Sequence, residues 1–166
     1  MTEKTTPTFI MLYLAKNYIG ARMKLKLFAV PTHLIQNWWD KAEPQISKAF
    51  EKGSDEVRPD ELRMQVAQGQ QQLLMGMNPE TNECHCAWTV QSIMYCREKV
   101  AYITYIGGRD TRHVWDEFLE WCKLTGHTKV QGSVRDESIM KLWDKLYGMK
   151  KKYTTMEYSI NQKEQK

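Results

Sequence analysis

Three strand-like stretches stand back to back in the middle of the chain: Gln72 to Met77, Cys84 to Tyr95 and Val100 to Ile106. They are joined by Asn78-Pro79-Glu80-Thr81-Asn82-Glu83 and by Arg97-Glu98-Lys99. Parallel strands need a crossover of a dozen residues or more, so connections this short point to antiparallel hairpins. Three neighbouring strands of one sheet are therefore expected here.

On either side the hydrophobic period alternates between two and three to four. Met23 to Val30 sets Lys24 and Lys26 against Leu25 and Leu27, the pattern of a half-buried strand, and Pro31-Thr32 stops it and offers an N-cap. From His33 to Phe50 the residues Leu34, Ile35, Trp38, Trp39, Ala42, Ile46, Ala49 and Phe50 recur at helical spacing. Pro44 is expected to kink or break this helix and Gly53-Ser54 to end it. Asp60 to Gln68, with acids in its first turn and Gly69 just beyond, reads as a short capped helix. After the strands, Thr111 to Leu124 carries Val114, Trp115, Phe118, Leu119, Trp121 and Cys122 on a broad apolar stripe, with Phe118 and Cys122 assigned to the core. Val130 to Val134 reads as a strand, Ser138 to Tyr147 as a helix and Tyr153 to Ile160 as a last strand. The expected class is α/β (α+β): a mixed, mostly antiparallel sheet flanked by helices.

A chain of 166 residues with 42% apolar content is enough for one good core. One domain is expected at residues 23–160, with an N-terminal extension at 1–22 and a polar tail at 161–166. Twenty-four basic against twenty acidic residues leave a net charge of +4, so any nucleic-acid contact is weak at most, and Lys150-Lys151-Lys152 reads as a solvated loop. The longest dense apolar run, Phe9 to Ala15, is far short of the roughly 20 residues of a membrane span. With no basic leader or cleavage site before it, synthesis in the cytoplasm is expected. Cys84, Cys86, Cys96 and Cys122 lack the paired spacings of a zinc ribbon and are expected as reduced thiols. Cys84-His85-Cys86 places two soft ligands on one face of a strand but has no second pair elsewhere, so no metal is expected.

The order of elements, and the phrase Leu142-Trp143-Asp144-Lys145-Leu146-Tyr147-Gly148-Met149 followed by Met156-Glu157-Tyr158, resembles the GCN5-related N-acetyltransferase superfamily and its closing segment. The series Val30-Pro31, Trp38-Trp39, Pro44-Gln45-Ile46, Gly69, Leu73, Gly107-Gly108 and Trp115 is similar to acetyltransferase-like proteins encoded by tailed bacteriophages near their head genes. Similar folds occur among internal virion proteins of short-tailed phages. The resemblance spans residues 24–160. It implies an acetyl-CoA site at the turn Gly107, Gly108, Arg109 and Thr111, where a helix start favours a pyrophosphate. It also implies a thiolate acid near Gly148, for which Tyr147 is the candidate, and Asp116, Glu117 and Glu120 as acids from which a base would come.

Two departures stand against that chemistry. The superfamily's Arg/Gln-x-x-Gly-x-Gly/Ala pattern is absent, with Asp110 opposing phosphate, and Asp144, not Tyr, lies four residues before Gly148. The bland alternative is that Gly107-Gly108 supplies a sharp turn and Asp110 or Thr111 caps the helix. On that basis the expected role is a virion or assembly protein with eroded catalysis and no cofactor. It would meet other virion or assembly proteins, or itself, and reside in the virion after synthesis in the host cytoplasm. Six Trp and ten Met suit such contact surfaces. The alternative is an acetyl-CoA-dependent N-acetyltransferase acting on an amine.

Overall fold

A computed structural model describes residues 24–51 and 57–156. The expected extension, the tail, Gly53-Ser54 and residues 157–160 of the expected last strand lie outside these. Strand β1 (Lys26–Val30) leads through a 3-10 turn at Thr32–Leu34 into helix α1 (Ile35–Phe50), and α2 (Pro59–Ala67) follows. Pro44 does not break α1. Proline removes the hydrogen bond to the carbonyl four residues back, that of Asp40, but both residues are exposed and solvent can satisfy that oxygen.

The three central strands are β2 (Gln72–Met77), β3 (Cys84–Tyr95) and β4 (Glu98–Gly108). The first two keep the expected bounds. The third is longer, because Cys96, at φ 46°, and Arg97 close a tight turn that brings Tyr95 opposite Glu98. Next come a 3-10 turn at Thr111–Val114, helix α3 (Trp115–Leu124), strand β5 (Lys129–Gly132) and helix α4 (Glu137–Tyr147). Asp136 caps α4 by accepting from the Ser138 amide, and Gly148, at φ 68°, ends it. The expected strand from Tyr153 is not formed over its described part. Residues 151–156 are irregular, and Tyr153 and Met156 are 71% and 93% exposed, so neither side chain gains the burial that a strand's inner face would give it.

The sheet runs β1-β2-β3-β4-β5, antiparallel except for the last pair, in which β5 lies parallel to β4 from Val100↔Lys129 to Ile103↔Gly132. α1 and α2 cover one face, where Ile35, Trp39, Ile46, Leu62 and Val66 pack on Leu73, Met75 and Ala87. α3 covers the other, where Trp115, Phe118 and Cys122 pack on Leu74, Trp88 and Ile103. Phe118 is fully buried and Cys122 nearly so, as the apolar stripe requires. Trp39, Trp88 and Trp115 are buried, and Trp38, Trp121 and Trp143 are partly buried against these two cores. Three of the six tryptophans are thus committed to the cores, and the other three pack against them while keeping part of their surface open.

Two irregularities switch side chains between faces, because one extra residue inverts the period of two. The register shifts between Gly76 and Met77 opposite Cys84 to Cys86, sending Cys84 into the α1 core and Cys86 into the α3 core. The assumption of one shared face for the two thiols therefore fails. In β4, Thr89 pairs Tyr105 while Val90 pairs Ile103, which leaves Thr104 as the bulged residue. Thr104 lies one step past the last residue paired with β5, so β4 runs on from there to Gly108 without it.

Candidate functional site

The end of β4, the turn that follows and the end of α4 converge on one place. Gly107 is buried under α1: a Cβ there would lie 1.9 Å from the Gln45 carbonyl oxygen. Gly108 has φ +100°, and a Cβ there would meet the His85 carbonyl oxygen at 2.4 Å. Both positions require glycine for the chain's own close approaches. The Arg109 amide donates to that same His85 oxygen at 2.8 Å, fixing the turn to β3.

Asp110 is left-handed, at φ 64°, and stands at the N-cap of the 3-10 turn without capping it. Its carboxylate turns instead to His85, whose Nδ1 lies 3.0 Å from Oδ2 and whose ring is 2% exposed. Arg109 reaches Glu83 at 3.1 Å and Asp110 at 3.8 Å, with more than half its side chain in solvent. The acid that the sequence sets against phosphate is thus drawn toward β3. Thr111 and Arg112 open the turn before α3, where the first amides of a helix have no internal partner.

Thr111 has a second engagement. Its Oγ1 is hydrogen-bonded to the hydroxyl of Tyr147, the last residue of α4. The phenol ring stacks on Trp115 with centroids 4.2 Å apart, and Trp143 meets it edge-on at 6.4 Å. Burial holds the Tyr147 phenol above its ordinary value, outweighing the Thr111 hydrogen bond. The candidate acid and one of the four candidate cofactor residues are therefore brought into contact, while Gly107, Gly108 and Arg109 line the adjoining turn. The nearby acids are occupied elsewhere. Glu117 accepts from the Leu27 amide at 2.7 Å, Glu120 pairs with Lys123 at 2.7 Å, and Asp116 is exposed.

The sequence reading missed His85 as the partner of Asp110. They are 25 residues apart, and only the pairing of Cys86 with Gly108 brings them together. Burial pushes the thiol of Cys84 up to about 11 and that of Cys86 up to about 12, so both are protonated at neutral pH and neither is an activated nucleophile. Among the described residues no group of three or more His, Cys, Asp or Glu could hold a metal ion, and no helix is long and apolar enough to cross a membrane.

No family model and no curated protein matches the sequence. Solved structures do match the fold. An aminoglycoside acetyltransferase from an uncultured soil metagenomic sample, in complex with trehalose, superposes with TM-score 0.60 at 11% identity, over 82% of this chain and 97% of that one. Glucosamine-6-phosphate N-acetyltransferase from Arabidopsis thaliana gives 0.53 at 13% identity, over 82% and 99%. An aminoglycoside N-acetyltransferase in complex with CoA gives 0.57 at 8% identity, over 82% and 95%. The fold is that of the acetyltransferases. Within that acetyltransferase fold, the mixed five-stranded sheet and its flanking helices are the shared part.

Proposed function

We propose that the chain is an acetyl-CoA-dependent acyltransferase of the N-acetyltransferase type, acting on an amine. The observation that carries this reading is the Tyr147 phenol, held by Thr111 at the turn that starts α3. The donor set there suits a phosphate-bearing cofactor: the guanidiniums of Arg109 and Arg112, both exposed, and the first amides of the turn at Thr111 and Arg112. His85 aids it by engaging the Asp110 carboxylate. Acetyl-CoA supplies an acetyl group activated as a thioester. A phenol carries its proton at neutral pH, and burial of Tyr147 favours that protonated form further, so the hydroxyl has a proton to give a departing thiolate. No feature of the described residues favours the virion reading, which shares this fold, whereas the Tyr147–Thr111 contact favours catalysis.

Thermal melts with acetyl-CoA test the first half. At a hundred times the dissociation constant the native state gains about 2.7 kcal/mol, and the rise in Tm should shrink in Arg109→Ala and Arg112→Ala. Thiol release with an aminoglycoside or glucosamine-6-phosphate as trial amines tests the second. Tyr147→Phe should keep the thermal shift and lower turnover about a hundredfold or more. No shift at millimolar acetyl-CoA would overturn the proposal.

A further inference from the structure

A second group of reactive side chains lies at the other end of α3. The helix has ten residues, so at about 1.5 Å per residue its two ends stand roughly 15 Å apart. Past its C-terminus, Gly126 at φ +80° turns the chain so that His127 folds back toward the sheet, its ring stacked near Trp121 with centroids 5.5 Å apart. Ser92 of β3 places Oγ 2.8 Å from His127 Nε2, and Thr125 places Oγ1 2.8 Å from His127 Nδ1. The three groups form a line.

Hydrogen-bond directions fix the protons along it. Thr125 Oγ1 lies 2.7 Å from the Trp121 carbonyl oxygen and 3.2 Å from that of Cys122, and both of these only accept. The threonine proton therefore goes to the backbone, and its oxygen accepts from His127 Nδ1–H. That leaves Nε2 as the bare nitrogen, and the Ser92 hydroxyl donates to it. His127 is 7% exposed while Ser92 is exposed. Burial, and secondarily the charge of Lys99, which faces the ring from β4, lower the imidazole below its ordinary value, so it is neutral at pH 7.

The line opens on a cleft of about 380 Å³, lined by Ser92, His127 and Thr125 together with Gln70, Gln72 and Lys99. No carboxylate among the described residues lines it, and Lys99 brings a positive charge. One Lys99 proton goes to the Thr125 carbonyl oxygen at 2.8 Å, leaving two for another acceptor.

We propose that Ser92 is a nucleophile activated by His127, with Thr125 as positioning residue, in a site for short-chain carboxylic esters that carry a negative charge. Ser92 Oγ attacks the ester carbonyl carbon while its proton passes to His127 Nε2, and Lys99 stabilises the developing oxyanion. The C–O bond to the alcohol breaks, the alcohol leaves with the proton from Nε2, and Ser92 is acylated. Water, deprotonated by the same Nε2, then hydrolyses the acyl-serine and restores both groups. This activity is separate from the acetyl transfer proposed above and shares no residue with it.

The full chain treated with a fluorophosphonate probe, with the modified residue located by peptide mass spectrometry, tests this. Ser92 should be labelled in the native protein and not after unfolding in urea. His127→Gln should slow labelling about a hundredfold. Thr125→Val should slow it about tenfold, and Thr125→Ser should restore it, which a merely structural threonine would not require. In the unaltered protein the labelling rate should rise with a single deprotonation below pH 6.5 and stay level to pH 8. Labelling of Ser92 no faster than in urea, or a rate that climbs steadily with hydroxide, would overturn the proposal, and neither reading depends on whether a variant folds.

Discussion

Gly107 faces the backbone of α1 with no room for one carbon, since the Gln45 oxygen would sit 1.9 Å from a Cβ. Gly107→Ala should therefore destabilise the protein by about 2 to 3 kcal/mol through overpacking, read from the urea midpoint. Gly107-Gly108 was legible in the sequence as a backbone device, the alternative to a pyrophosphate turn, because adjacent glycines suit close approaches that a Cβ would block. The partner of Asp110 was not legible, because strand pairing decides which residues meet across 25 positions. His127 gives a further residue-scale outcome. Its pKa is lowered in the folded state, so between that value and about 6.5 the unfolded chain binds more protons and stability rises with pH. The contribution is complete above about pH 6.5 and is lost as pH falls toward the folded value. Melts at pH 7, 6 and 5 should show a larger drop in Tm for the unaltered protein than for His127→Gln.

Among the elements, α3 depends on Phe118, which meets Trp88 edge-on at 5.5 Å and Trp115 at 5.1 Å. Phe118→Ala should cost roughly 3 to 5 kcal/mol, a loss that denaturant unfolding would measure directly. This helix was readable because its apolar residues recur at three and four, and β2 and β3 because strand-like runs stop where short polar loops begin. The described part of the strand expected from Tyr153 shows the limit of periodicity: a pattern says which residues would face one way, yet Tyr153 and Met156 stay exposed. The bulges show another. Cys84 and Cys86 look alike in sequence, yet a register shift sends them to opposite cores, and no local feature of Cys84-His85-Cys86 announces it.

At the scale of the molecule, the class and the mixed sheet followed from the order of elements, whereas the convergence of Thr111 with Tyr147 needed the packing of α4 on Trp115. Spatial strand order equals chain order, so β1 to β4 form an antiparallel meander in which each strand lies beside its predecessor. β5 joins by four paired residues after a helical crossover, and no residue of α4 is fully buried. Local opening is cheapest where burial is least. Amide hydrogen exchange should therefore be faster by an order of magnitude or more in β5 and α4 than at Leu73 to Met75 or Ala87 to Thr89, and equal protection across these segments would contradict this. Tyr147 belongs to that loosely held end. If its hydroxyl serves the departing thiol, the proton donor rides on the helix expected to exchange fastest, so the opening that exchange would detect would also part the donor from Thr111.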